Sequence, residues 1–432
     1  MRHQLNKFPH QPLPLEVVCG DGLYLELENG KRVLDVTSGT TSNAVLGFSH
    51  PKVLNAMRAQ MDKFCHVDIN QWQNPMLEEL AELLLSQAPR GLDKVYFCGN
   101  SGSEAIEAAM RLAHQTQYDR GEQKRQWFIA REQSYHGATL HAASVTDFPL
   151  FEYLQGVTPD KIAHIPQHNS ADHCAGGEDI TAYTQQSIRY LEDKILELGS
   201  ENVCAFVGET MLGSLVGDVP PATGYWQGIR EVCDRYGVFL ILDEVYCGLG
   251  RSGQVYCCEL DGVTPDFVCV GKNLGAGYAP LSAVITDVAK ETVIANGSGR
   301  VMHGHTYQGY ALGAAAALAV QQEVHTTEML DHIAALGKHI AASLQSELGD
   351  HPFFRNVRGR GLLQSISYDC PKQAEFSVSL QRQMFENHDI LINAKWHRTS
   401  LTPAYIFDQD IMDRVLDIYI ETFKSTAQGW PS

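Results

Sequence analysis

The chain has 432 residues, of which 44% are hydrophobic and 19% charged, and its formal net charge is -18. That size and balance suit a folded globular chain of more than one domain and exclude a disordered one. The excess of acid makes nucleic acid and anionic membrane surfaces poor partners, so a bound phosphate would need a local device rather than a general basic field.

Residues 1–14 are polar and broken by proline, without the apolar core of a signal peptide. Residues 23–27 and 32–36 alternate around Asn29-Gly30, which predicts a hairpin. A helix is expected from Pro51, with Val53, Leu54, Met57 and Met61 on one face. From about residue 75 the pattern changes to short apolar runs alternating with amphipathic helices. Strands are expected at 94–98, 127–130, 203–207, 238–242, 267–270 and 282–285, with helices at 104–115, 181–198 and 225–236. Residues 166–179, with Gly176-Gly177, read as a loop. A helical stretch through 311–348 follows, then a strand at 362–367, a helix at 376–387, a strand at 390–394 and a last helix at 411–423. The apolar run at 311–320 is too short to span a bilayer.

The fold class is therefore α/β: a large domain with a mostly parallel sheet flanked by helices, plus a smaller α+β domain from both chain ends. The expected division is an N-terminal segment, 1–74, packing with the small domain; a large domain, 75–309; and a C-terminal small domain, 310–432. The 11 cysteines are scattered, without zinc-type spacing, and read as free thiols in a reducing, cytoplasmic setting.

Ligands of open parallel sheets bind beyond the carboxyl ends of the strands. Three apolar runs end there in ionisable residues: 203–207 in Gly208-Glu209, 238–242 in Asp243-Glu244, and 267–270 in Gly271-Lys272. Lys272 read alone is an exposed loop lysine. Its position between a buried strand and the turn-rich stretch 273–280 favours a desolvated, nucleophilic amine instead. With Asp243 to keep a ring nitrogen protonated, the pair fits pyridoxal phosphate, the lysine forming a Schiff base. Between the first strand and helix stands Gly99-Asn-Ser-Gly-Ser-Glu-Ala105. Ser101 and Glu104 match a capping box, so the segment reads either as a capped helix or as a phosphate site at a helix N-terminus, with Gly102 and Ser103 as the contacts.

These pieces sit within a longer series: Asp21-Gly-Leu-Tyr24, Leu34-Asp-Val-Thr-Ser-Gly39, Leu46-Gly-Phe-Ser-His-Pro51, Asn100-Ser-Gly-Ser-Glu-Ala105 and Ser134-Tyr-His-Gly137. It continues with Leu242-Asp-Glu-Val-Tyr-Cys-Gly-Leu-Gly-Arg-Ser-Gly253, Gly271-Lys272, Gly277-Tyr-Ala-Pro-Leu-Ser-Ala283, His303-Gly-His-Thr-Tyr307 and Val357-Arg-Gly-Arg-Gly-Leu362. In order and spacing the chain resembles class III aminotransferases, the fold-type-I family that includes ω-amino acid and amine transaminases. The resemblance implies a pyridoxal-phosphate enzyme that moves an amino group from an amine or amino acid to a keto acid such as pyruvate or 2-oxoglutarate. It implies Lys272 as the Schiff-base lysine and Asp243 as the ring-nitrogen partner. Gly102 and Ser103 fall on the phosphate loop, Tyr135 on one ring face and Val245 on the other, with His136 and Glu209 close by. Thr306 would reach the phosphate held by a neighbouring subunit, implying a homodimer with shared active sites.

Some readings stay open. Tyr135 also reads as a core aromatic. His136, His303 and His305 suggest a metal only weakly, since no matched carboxylate or cysteine set accompanies them. Ser214 stands where ornithine- and 4-aminobutyrate-type members carry a second glutamate, five residues beyond the first. Arg398, near the place of their partner arginine, reads either as a carboxylate clamp for the substrate or as a solvated loop residue. Decarboxylation or an intramolecular amino shift are the rival reactions of the same cofactor. A nicotinamide oxidoreductase is the rival of another class, although no Gly-x-Gly-x-x-Gly follows a first strand.

Overall fold

The computed structural model describes residues 3, 5, 7, 8, 14–154, 156–213 and 215–431, so the Ser214 reading lies outside the described residues. Seven strands form a central sheet in the order Lys94–Cys98, Ser282–Thr286, Phe267–Val270, Phe239–Asp243, Val203–Glu209, Trp127–Arg131 and Ile162–Ile165. Ser282–Thr286 runs antiparallel to both its neighbours, and the remaining pairs are parallel. This is the expected mostly parallel sheet. Its central strands are buried on both faces, which explains why they read as unbroken apolar runs.

The two faces divide the side chains by strand periodicity. Phe239 and Ile241 pack with Ala105, Ala109 and Ala113 of the helix Gly102–Asp119. Leu240 and Leu242 pack with Ile188, Leu191, Trp226 and Ile229 of the helices Ile180–Leu198 and Tyr225–Tyr236. The edge strand Ile162–Ile165 was not expected: it is short, only partly buried, and carries a histidine.

The N-terminal hairpin forms as read, Tyr24–Leu27 pairing antiparallel with Arg32–Asp35. Val17–Asp21 extends it on one side. On the other side Ile390–Leu391 joins parallel to Arg32–Asp35, so the two ends of the chain share a sheet. The expected strand 390–394 is in fact two: Asn393–Lys395 belongs to a third sheet, with Arg398–Leu401, Leu363–Tyr368 and Phe354–Arg360. The helical stretch 311–348 is also two elements, Ala311–Val324 and Thr327–Leu348, where the Thr326 hydroxyl caps a new start by accepting from the Met329 N–H. The loop 166–179 contains a short helix, Ser170–His173. In the helix Pro51–Met61, Met61 faces solvent and Gln60 is buried instead, its amide donating to the Phe64 carbonyl at 2.7 Å.

Leu23, Val36, Val45 and Val53 share one apolar core with Ile340, Leu380, Tyr405 and Phe423. Arg251 ties that core to the large sheet. It is fully buried, lies over the Tyr405 ring, and donates to the carbonyls of Pro403 (2.6 Å), Leu362 (3.3 Å) and Ser42 (3.2 Å) and to Ser38 Oγ (3.3 Å). One guanidinium thus satisfies polar groups from three distant stretches. Arg251→Leu would leave these carbonyls without a donor and should cost about 3 kcal/mol. The measurement is the urea midpoint of unfolding; an unchanged midpoint would show that the tie lies elsewhere.

Candidate active site

Parallel pairing sets the first elements of the site. Glu209 lies beside Asp243, and Asp243 beside Cys269, at the carboxyl edge of the sheet. Lys272 follows one turn later. A cavity of about 470 Å³ opens there. Gly102, Ser103, Tyr135, His136, Glu209, Asp243, Val245 and Lys272 all line it, brought together from five separate stretches of sequence.

Asp243 is held from two sides. His136 Nδ1 lies 2.8 Å from one carboxylate oxygen, and the Val245 N–H donates to the other at 3.0 Å. His136 is buried, and its own N–H donates to Thr146 Oγ1 at 2.8 Å. Glu209 is buried too, and burial pushes its carboxyl up to about 7, against the pull of His136 and Arg131. Glu244, next to Asp243, points away from the cavity. Its oxygens accept from the N–H groups of Cys257 and Cys258 at 2.6 and 2.7 Å, fixing the loop that leaves the strand.

Burial holds Lys272 below the usual lysine range, while the negative charges of Asp243 and Glu209 act in the opposite sense. Its ammonium nitrogen stands 5.2 Å from the centre of the Tyr246 ring. Its φ is 34°, a left-handed value that costs a non-glycine residue about 1–2 kcal/mol. The following turn is pinned to offset this: Asn273 donates to the Gly248 carbonyl, and Gln321 donates to the carbonyls of Asn273 and Leu274.

The capping-box reading does not hold. Ser101 makes no side-chain cap, and Glu104 Oε2 is buried without a partner among the described residues. The Gly102 and Ser103 N–H groups likewise have no partner among the described residues. Ser103 Oγ accepts from the Ala138 N–H at 3.0 Å. An 18-residue helix therefore presents unclaimed donors to the cavity. The close approach needs Gly102, because a Cβ there would stand 2.5 Å from Val245 Cγ1.

Two expected residues stand apart. Thr306 is exposed, begins the short helix Thr306–Gly309, and does not line the cavity; its carbonyl accepts from His66 Nε2 at 2.6 Å. Arg398 is not a solvated loop residue: it begins the strand Arg398–Leu401, is 1% exposed, and donates to the Leu215 carbonyl at 3.3 Å. It lies behind the cavity wall rather than in it. Conversely, Asn43, Met211 and Tyr246 line the cavity without having been given a role. Tyr246 was legible as an aromatic just beyond Val245; Asn43 gave no signal, being brought in by a turn near the start of the chain.

The "Aminotransferase class-III" family profile matches residues 7–423. The chain belongs to this family. An aminotransferase of Gibberella zeae is 37% identical over 87% of this chain and 74% of its own. An uncharacterized aminotransferase of Schizosaccharomyces pombe is 34% identical over 97% of this chain and 94% of its own. The ω-transaminase of Pseudomonas jessenii, solved in complex with PMP, superimposes with a TM-score of 0.91 at 26% identity, covering 99% of this chain and 97% of that one. As a class III aminotransferase the protein is an enzyme that depends on pyridoxal phosphate. The residues present fit that cofactor: free amide donors for a phosphate, a held carboxylate, and an enclosed lysine around one cavity.

Gly102→Val should weaken cofactor binding at least tenfold, because the added side chain collides with Val245 and displaces the donors. Titration of the apo-aminotransferase with pyridoxal phosphate measures this. Val245→Ala in the same chain should restore part of the affinity, and unchanged binding in the single variant would remove this helix start from the phosphate site.

Proposed function

We propose that this aminotransferase moves an amino group from an amine or ω-amino acid to a keto acid such as pyruvate or 2-oxoglutarate, with Lys272 as the residue that bonds the cofactor. The observation that carries this reading is the single cavity where the Lys272 amine faces Asp243 and Glu209. When bound, pyridoxal phosphate supplies an electron sink for the bond broken at the substrate carbon. Asp243, fixed by His136 and the Val245 N–H, keeps a proton on the ring nitrogen. Val245 and Tyr135 would flank the ring, and Gly102 and Ser103 would hold the phosphate. The Lys272 amine, whose proton affinity burial lowers, would take the proton from the donor carbon and serve as the proton carrier at the cofactor.

The keto acid brings a carboxylate, and the hairpin that carries Arg398 supplies the positive wall it approaches. A carboxylate anchored on that wall would leave the C–H bond to be broken rather than the C–C bond. Decarboxylation and the amino shift are therefore the lesser readings. Thr306, exposed and outside the cavity, serves a neighbouring subunit in a homodimer. The chain works in the cytoplasm, as its free cysteines suit. The division into 1–74 with 310–432, and 75–309, follows the shared core of the two chain ends.

Borohydride treatment of the holoenzyme should fix the cofactor to the peptide containing Lys272; label on any other lysine would overturn the assignment. With an amino-acid donor and pyruvate, the purified protein should form alanine and release no carbon dioxide. Asp243→Asn should cut turnover by about 3 kcal/mol or more while the protein still folds. Mixing Lys272→Ala with Thr306→Ala protein under subunit exchange should regain activity, since half the hybrid sites would carry neither defect. No regain, with exchange demonstrated, would place Thr306 outside the partner's site.

A further inference from the structure

The hairpin of Asn393–Lys395 and Arg398–Leu401 turns at Trp396-His397, with Lys395 directly opposite Arg398. Directly paired residues of antiparallel strands project from the same face. Ser400 pairs with Asn393 and with Ser365, and Ser365 pairs with Arg358, so these residues extend that face across the sheet.

The contacts show where the face looks. Ser365 Oγ donates to Asp218 at 2.7 Å, and the Asn393 amide donates to the Thr40 carbonyl at 3.3 Å. Thr40 belongs to the turn whose Asn43 lines the cavity. Tyr246 closes the gap: its hydroxyl is near Ser42, with Asp218 and Arg398 close enough to shift its proton affinity, and its ring lies below the Lys272 ammonium. The face thus backs onto the cavity through one tyrosine.

Three cations stand on it, and two are spent. Arg358 donates to the carbonyls of Gly217 (2.8 Å) and Val216 (2.7 Å) and pairs with Asp172 at 3.0 Å. Arg398 donates to the Leu215 carbonyl and lies against Gly217. Lys395 is mostly buried, yet its side chain makes no hydrogen bond or ion pair among the described residues. Burial and the charges of Arg398 and Lys272 hold it below the usual lysine range, and Asp218 opposes them. A largely buried ammonium that no acid pairs among the described residues is costly unless a ligand supplies the counter-charge.

We propose that Lys395 is the specificity-determining residue that receives the carboxylate of the keto-acid acceptor, with Arg398 and Arg358 bracing the wall behind it. This rests on the aminotransferase reading above. A lysine on a flexible stem, unlike a braced guanidinium, can follow carboxylates at different depths in the cavity. An acceptor without a carboxylate gains nothing from it.

The test uses the holoenzyme with one amine donor lacking a carboxylate and two acceptors, pyruvate and propanal. Lys395→Met should raise the KM for pyruvate about tenfold or more and leave that for propanal within about twofold, with the cofactor absorbance unchanged. Lys395→Arg should restore most of the pyruvate KM. Propionate should inhibit the wild type competitively against pyruvate and inhibit the Met variant far less. If Lys395→Met does not fold, Lys395→Gln carries the same comparison. Equal changes for both acceptors, or an unchanged pyruvate KM, would overturn the role of Lys395 while leaving the aminotransferase reading intact. Wild-type protein that aminates neither acceptor would instead overturn the reaction itself.

Discussion

Lys272 and the largely buried carboxylates of Asp243 and Glu209 are gathered around one cavity, and the surrounding structure is arranged to make that tolerable. A lone buried charge costs several kcal/mol. Here adjacent parallel strands place the two acids side by side, and the third strand's turn brings the lysine to face them. The sheet register alone fixes these relations, because Glu209 and Asp243 are direct pairing partners. Their environments then separate their roles. Asp243 receives a histidine and a backbone N–H, whereas Glu209 receives the Gly213 N–H and is pushed toward its neutral form by burial. Two carboxylates of similar burial therefore sit in different surroundings.

Holding the lysine there strains the backbone. Lys272 and Ala276 both have left-handed φ values, 34° and 49°. In the facing turn Ser38, Thr40 and Ser42 do as well. Such conformations persist only where neighbours over-determine them. Those neighbours can be named: Asn273 and Gln321 pin one turn, and Arg251 and the Thr402 hydroxyl pin the other. The Arg251 network is therefore more than a core tie. It joins the strained segment bearing Asn43 to the loop that follows Asp243, so that the two walls of the cavity are positioned by one buried cation.

Much of this was legible in the sequence for a physical reason. Strands buried on both faces must be continuous apolar runs, so 203–207, 238–242 and 267–270 announced themselves, and the ionisable residue after each marked the sheet edge. What was illegible depended on neighbours distant in sequence. Arg398–Leu401 carries arginine, threonine and serine, and read as loop because its polar groups are satisfied by Ser365, Leu215 and Tyr419, on other elements of the chain. The break in residues 390–394 was hidden because a two-residue strand has no period. Ser101 and Glu104 have the spacing of a capping box, yet the cap is absent, and nothing local to that segment tells the two outcomes apart.

The acidity of the chain gives these local details their weight. With a net charge of -18, the long-range field repels phosphates and carboxylates alike. Attraction must arise within a few ångströms, where a low-dielectric wall makes one charge count for more than many solvated ones. The two features proposed to bind anions are built differently to meet this. At Gly102 and Ser103 the donors are backbone amides, fixed by the helix and carrying no net charge to be neutralised by surface acids. On the hairpin the donors are full cations, and Asp172 and Asp218 are the acids set among them. Asp172 engages Arg358 and Arg355, and Asp218 is occupied by Ser365. Among the described residues, the acids on that face brace the wall without closing an ion pair on Lys395.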